Sequence, residues 1–245
     1  MSSNTLSEAE IQRRYYANSA RSYNEWHDAE GGEHYLALSV LAAIVDHYGI
    51  QSVLDLGSGT GRAVAYLKHR CPGLKIVGIE PVQELREVGY QNGISQDELI
   101  EGNALKLDFS DGEFDIVCEF GVLHHVKTPG IMVAEMLRVA KKAIFISDAN
   151  NFGQGSFLGR TFKQLLNVFG LWQWAYLAKT KGKGYTLSEG DGLAYSYSVF
   201  NDYRQIEKKC SRVSLLNTID GRINLYRTAS HVVLLGMKKQ DKTTA

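Results

Sequence analysis

The sequence predicts a doubly wound α/β fold, and three observations carry that prediction. Apolar runs of strand length recur between Ser52 and Asp148: SVLDL, LKIVGIE, FDIVCEF and KKAIFISD, with DELIEGN as a shorter one. Segments of helix length, GRAVAYLKHR and VQELREVGYQ among them, separate these runs. The runs are near-continuously apolar, as strands buried on both faces of a parallel sheet are. Repeats of strand, helix and strand close by right-handed crossovers and lay helices on both faces. Near the end RVSLLNTI and LYRTASHVVLLGMK read as an antiparallel hairpin, which makes the expected sheet seven-stranded and mostly parallel.

The other elements follow in order. SEAEIQRRYYANSARSY, within residues 6–24, is rich in helix formers. His34–Tyr48 spaces Leu36, Val40, Ile44 and Tyr48 along one helical face. Cys71-Pro72-Gly73 stops the helix that begins after the glycines. Thr128-Pro129 opens another, with a capping hydroxyl and a proline suited to the first turn. With 245 residues the chain suffices for one sizeable core and is short for two full domains. The expected organisation of 1–245 is a helical N-terminal cap over 1–50, a ligand-binding core over 51–150, a lid over 151–205 and closing strands over 206–240.

Composition narrows the class. Lysine plus arginine and aspartate plus glutamate number 27 each, which argues against a chain built to neutralise nucleic-acid phosphates. The three cysteines are far apart with no C-x-x-C, so neither a disulfide framework nor a zinc knuckle is expected, and a reducing, cytoplasmic setting is. The first residues lack the apolar run of a secretory signal.

The stretch VLDLGSGTGRAVAYL, Val53 to Leu67, ends a strand in an acid and then three glycines. Glycines remove the Cβ barrier to close approach, and the helix that follows offers free N–H groups. Gly57, Gly59 and Gly61 are spaced G-x-G-x-G, with Arg62 where the dinucleotide fingerprint has its third glycine. That spacing disfavours a pyrophosphate clamp; the alternatives are S-adenosylmethionine (SAM), which has no phosphate, and a tight turn that binds nothing. Glu80 ends the second strand, where a carboxylate can accept two ribose hydroxyls. Asn103-Ala104 follows a strand, and an amide both donates to and accepts from an adenine edge. Glu119, Phe120 and Gly121 end the fourth strand in CEFGVLHHV.

The order DLGSGTG, GIEP, EGNALKLDFSDGEFDIV and VLHHV resembles the class I SAM-dependent methyltransferases, nearest to their small-molecule and quinone-type subgroup. The resemblance spans about Val53 to Asp148. It implies a Rossmann-like methyltransferase fold with SAM as cofactor. It implies Asp55, Gly57, Ser58 and Gly59 as a methionyl wall, and Glu80 and Pro81 at the ribose and adenine. Asn103 and Ala104 would border the adenine, Glu119 and Phe120 would lie beneath the methionyl-ribose part, and Tyr16 (or Tyr15) and Tyr23 would close the site. Two departures are Asn103, where many relatives have aspartate, and Glu80-Pro81-Val82, where many have Asp-x-Ser.

A hydroxyl acceptor must lose a proton during methyl transfer, and histidine titrates near neutral pH. His124 and His125, at the loop after the fourth strand, are the candidate bases, His125 slightly ahead; the competing reading packs or caps the following helix with one of them. Asp148, Asn150 and Asn151 either orient an acceptor or form a turn. Glu119, Asp148 and the two histidines show no recognised metal-ligand spacing, so no metal is expected. After Asn151, FLGRTFKQLLNVFGLWQWAYLAKTKGKGY combines aromatic and basic residues. It reads as a lid over a flat or greasy acceptor, as a membrane-surface helix, or as a helix packed on the sheet. Tyr195 and Tyr197 would share one face of an extended segment. The expected activity is methyl transfer from SAM to a small-molecule acceptor, at oxygen first. An RNA or protein methyltransferase of the same fold, a SAM-binding partner without turnover and a nicotinamide oxidoreductase are the rivals.

Overall fold

A computed structural model describes residues 7–20, 33–188, 191–219 and 224–239. Its elements in chain order are α1 (Glu8–Ser19), α2 (Glu33–His47), β1 (Ser52–Leu56), α3 (Arg62–Arg70), β2 (Lys75–Ile79), α4 (Gln83–Gln91), β3 (Leu99–Ile100), β4 (Phe114–Phe120), α5 (Pro129–Val139), β5 (Ala140–Ala149), α6 (Phe157–Val168), α7 (Trp172–Lys179), β6 (Tyr185–Ser188), β7 (Gly192–Tyr195), α8 (Tyr203–Lys209), β8 (Cys210–Asn217) and β9 (His231–Lys238). Short 3-10 turns cover Leu123–His125 and Asn151–Gly153.

Seven strands form one sheet in the order β3-β2-β1-β4-β5-β9-β8. The first five run parallel, and β9 and β8 complete the sheet antiparallel. The period-2 pleat sorts the strand residues onto two faces. Leu54, Leu56, Val117, Ile144 and Ile146 pack with Met132 and Met136 of α5. Val53, Ile116, Cys118 and Phe145 pack with Leu41 and Val45 of α2 and with Val64 and Leu67 of α3. Chain order reverses between β1 and β4, and their C-terminal ends open the crevice where open α/β sheets bind ligands.

The structure corrects several element boundaries. A capping box between Ser7 and Glu10 starts α1, which runs to Ser19; residues 6 and 21–24 of the expected helix lie outside the described residues. Thr128 occupies the N-cap position of α5, but its side chain makes no capping bond; Pro129 still opens the helix. The last strand begins at His231 rather than Leu225, because Leu225–Thr228 turns. Asn150, fully buried, explains that turn: its Nδ2 donates to the carbonyls of Leu225, Tyr226 and Ala229, and its Oδ1 accepts from Ser198. Asn150 is thus a brace rather than an acceptor contact. Tyr185–Ser188 and Gly192–Tyr195 form a separate two-stranded sheet, β6 with β7. This sheet reaches α1, where Leu193 N donates to Gln12 Oε1 at 2.5 Å.

Candidate active site

The turn from β1 to α3 is built to admit something against its backbone. Gly57 has a φ of 67°, and a Cβ there would lie 2.6 Å from Val122 Cγ2. A side chain would therefore strain the turn and collide with the loop after β4. On β2 a Cβ at Gly78 would lie 2.2 Å from Ser58 Oγ, so a second glycine, unremarked in the sequence, lets the turn settle on the sheet.

Behind the turn stands Asp55, buried, with Ser58 Oγ donating to its Oδ2 and Cys118 Sγ 3.7 Å from its Oδ1. Burial pushes its carboxyl up to about 6, against the Ser58 bond. Gly57 and Gly59 line a cavity, and Asp55 and Ser58 stand directly behind them. The pair shapes the turn from beneath.

Glu80 is the polar centre of a cavity of about 640 Å³. Its Oε2 accepts from Gly59 N at 3.0 Å and its Oε1 from Val82 N at 2.9 Å. Burial nevertheless pushes its carboxyl up to about 7. Each oxygen keeps a second lone pair for a ligand hydroxyl. Pro81, Asn103 and Ala104 line the same cavity. Asn103 Oδ1 accepts from Leu105 N at 3.0 Å, which orients the amide and leaves its NH₂ and a second lone pair on Oδ1 to read a ligand. Residues Ser7 to Tyr16 of the N-terminal segment cover the other side.

Glu119, at the end of β4, is fully buried and accepts from Val122 N at 2.8 Å and Ser147 N at 3.1 Å. Burial, then the charge of Asp148, raises its carboxyl well above the usual range. Its role is to tie the tips of β4 and β5. Phe120 lines the cavity of about 640 Å³ and a second of about 1140 Å³. Tyr23 lies outside the described residues.

The two cavities share Tyr16, Phe120, Gly121, His125 and Tyr195 as lining. The histidine pair thus sits where they adjoin, its rings 3.9 Å apart. His124 Nδ1 meets Asp148 Oδ1 at 2.7 Å, and His124 N donates to Asp148 Oδ2 at 3.3 Å. Its Nε2 lies 3.3 Å from Asp191 Oδ2. Burial disfavours its cation, but Asp148 and then Asp191 outweigh burial and raise its pKa well above the ordinary histidine value. The same charge brings Asp148 down to about 2 despite burial. His125 Nδ1 lies 2.6 Å from the Leu193 carbonyl, which can only accept, so Nδ1 carries a proton and Nε2 is the atom left to exchange one. Tyr16 Oη lies 2.9 Å and Asp191 Oδ1 3.3 Å from that Nε2.

Asp191 was not legible as a site residue. It arrives from β6–β7, 67 residues beyond His124, and its sole signal is that Glu189 and Asp191 are the first acids after Asp148. With it, His124 and His125 form a group whose potential metal-ligand atoms lie within 4.8 Å of one another, a convergence that spacing along the chain did not show. Tyr195 and Tyr197 both line the larger cavity, with Tyr197 itself buried.

Residues 54–146 match the family described as a methyltransferase domain. An uncharacterized methyltransferase of Schizosaccharomyces pombe is 27% identical over 147 residues, covering 54% of this chain and 50% of its own length. A demethylmenaquinone methyltransferase of Deinococcus radiodurans is 38% identical over 92 residues, 36% of this chain and 37% of its own. The chain thus spans half or less of these curated relatives. Among solved structures, a SAM-dependent methyltransferase of Thermotoga maritima, described as a possible histamine N-methyltransferase, superposes with a TM-score of 0.59 at 18% identity, covering 92% of this chain and 99% of that one. Magnesium protoporphyrin IX methyltransferase of Synechocystis, solved with bound SAH, gives 0.59 at 14% identity over 95% and 100%. At these identities the likeness shows the fold.

Proposed function

We propose that this chain, whose residues 54–146 form a class I SAM-dependent methyltransferase domain, transfers a methyl group from SAM to a hydroxyl oxygen of a small-molecule acceptor. The observation that carries this reading is the His125 imidazole, oriented by a backbone carbonyl and standing where the two cavities adjoin. The cavity around Glu80 suits an adenosyl group. Glu80 offers acceptor lone pairs to a ribose diol, the backbone at Gly57 and Gly59 faces the methionyl end, and Pro81, Asn103 and Ala104 border the base. When bound, the cofactor supplies an electrophilic methyl on a good leaving group, so alignment does much of the catalytic work.

This chain supplies the proton acceptor. The Tyr16 hydroxyl, 2.9 Å from His125 Nε2, marks where an acceptor hydroxyl can give up its proton. The imidazolium so formed faces Asp191 at 3.3 Å. His124, held charged between Asp148 and Asp191, positions Asp191 for that task. Support for a small acceptor comes from the balanced charge, from the cavity of about 1140 Å³ ringed by tyrosines, and from relatives whose names specify a quinone and a porphyrin.

The test is transfer of labelled methyl from SAM to a panel of phenols, quinols and sugars. His125→Ala should lower kcat by about 10²–10⁴-fold while the Kd for SAH stays within a few-fold. An unchanged kcat removes His125 as the base. A rate abolished by chelator and restored by zinc assigns the His124–His125–Asp191 group to a metal instead.

A further inference from the structure

Helix α6 faces the opposite way from an ordinary surface helix, whose apolar stripe turns to the core. Lys163 and Gln164 turn toward the body: Lys163 Nζ donates to the carbonyls of Asn151 and Gln154, and Gln164 Nε2 to those of Phe152 and Arg227. Leu166 packs inward with Phe152, Trp172 and Tyr176, but most of the apolar side chains point outward: Phe157, Leu158, Phe162, Leu165 and Val168 are 53–77% exposed. The patch continues through Phe169, Leu171 and Trp174, while Trp172 and Tyr176 of α7 turn in to pack with Phe152. A run of exposed phenylalanine, leucine and tryptophan on adjacent helices marks an interaction surface.

Charge identifies the partner. From Ala149 to Ser188 the chain carries Arg160, Lys163, Lys179, Lys181 and Lys183 and no acid at all, although acids and bases balance over the whole chain. Lys179, Lys181 and Lys183 are exposed and, among the described residues, join no ion pair. Apolar and aromatic side chains flanked by unpaired cations match an anionic lipid surface: the first enter the acyl boundary and the second meet the headgroups. Among the described residues no helix is long and apolar enough to cross a membrane.

We propose that the α6–α7 face docks peripherally on anionic lipid bilayers. Tyr176, Lys179, Thr186 and Ser188, at the edge of this face, line the larger cavity. An acceptor drawn from the bilayer would enter there. That delivery rests on the methyl transfer proposed above; the docking does not.

Vesicle flotation tests the docking. The full chain should float with vesicles of phosphatidylcholine and phosphatidylglycerol, stay behind with phosphatidylcholine alone, and be released by salt. The double variant Phe162→Glu, Leu165→Glu should lose vesicle binding about tenfold or more, and Lys179→Glu, Lys181→Glu, Lys183→Glu should do the same by charge alone. Both should retain wild-type SAH affinity by titration calorimetry, which reports folding independently of lipid and of turnover. No flotation on anionic vesicles overturns the proposal, as does flotation that neither variant weakens. A dimer in sedimentation that Phe162→Glu, Leu165→Glu converts to monomer, without lipid binding, assigns the face to a second copy instead.

Discussion

The cofactor edge of the sheet and the α6–α7 segment dispose of their polar groups by opposite rules. At the edge, acids are buried and bonded by the backbone: Glu80 by Gly59 and Val82, and Glu119 by Val122 and Ser147. In α6–α7, polar groups also turn inward, to carbonyls of the neighbouring turns, but there the apolar groups are left outside. The first arrangement fixes the carboxylates at the strand tips, Glu80 among the lining of a cavity. The second makes a surface that only an extended apolar phase or partner can satisfy. Buried polar groups thus indicate a ligand in one region, and exposed apolar groups indicate a partner in the other.

The sharpest separation of the two comes from Glu80→Gln. Replacing a carboxylate by an amide removes charge-assisted bonds worth about 1.5–3 kcal/mol. The Kd for SAH should rise about tenfold to a hundredfold, read by titration calorimetry, with vesicle flotation unchanged. A parallel loss of flotation would show that the two regions do not work independently.

A second effect distinguishes them by pH. In the folded chain Asp55 titrates at about 6 and Glu80 at about 7, both raised by burial above their ordinary values. The stabilisation from a raised pKa is fully present below the unfolded value and is lost as pH rises through the folded one. His124, also raised, acts in the same direction. Asp148, held down at about 2, acts oppositely, but only in strong acid. Stability against urea should therefore fall between pH 4 and 8, with Glu80 contributing on the order of 3 kcal/mol. Glu80→Gln should flatten that slope, whereas the glutamate variants in α6–α7 should leave it in place. An equal slope in Glu80→Gln would show that the carboxyl is not the titrating group.

How far the sequence could be read follows the same division. From β1 to β5 each strand is apolar on both faces, so period, glycine turn and the ending acids were visible at once. Burial direction was not. Asp55 and Glu119 stand in the expected motif, but the Ser58 bond to the first and the Val122 and Ser147 bonds to the second are contacts that residue type does not reveal. Asn150 looked like a turn former, and its threefold bond to a turn 75 and more residues away is purely tertiary. Asp191 was hidden for the same reason. In α6 the pattern was plain but its sign was not: an amphipathic helix read from sequence does not say which side faces the body.

Tyr195 lines both cavities, and its replacement is the finest test of how they divide. Its hydroxyl donates to Glu8 Oε2 at 2.8 Å, while Lys127 Nζ meets the same carboxylate at 2.8 Å. The bond latches β7 onto α1, and α1 covers the cofactor cavity. Tyr195→Phe keeps the ring and removes one partly exposed hydrogen bond, worth about 0.5–1.5 kcal/mol. If the tyrosine serves mainly as a latch, the Kd for SAH should rise a few-fold and the acceptor KM should be unchanged. If instead KM rises with SAH affinity intact, the ring belongs to the acceptor side, and the boundary between the cavities moves from Tyr195 to His125.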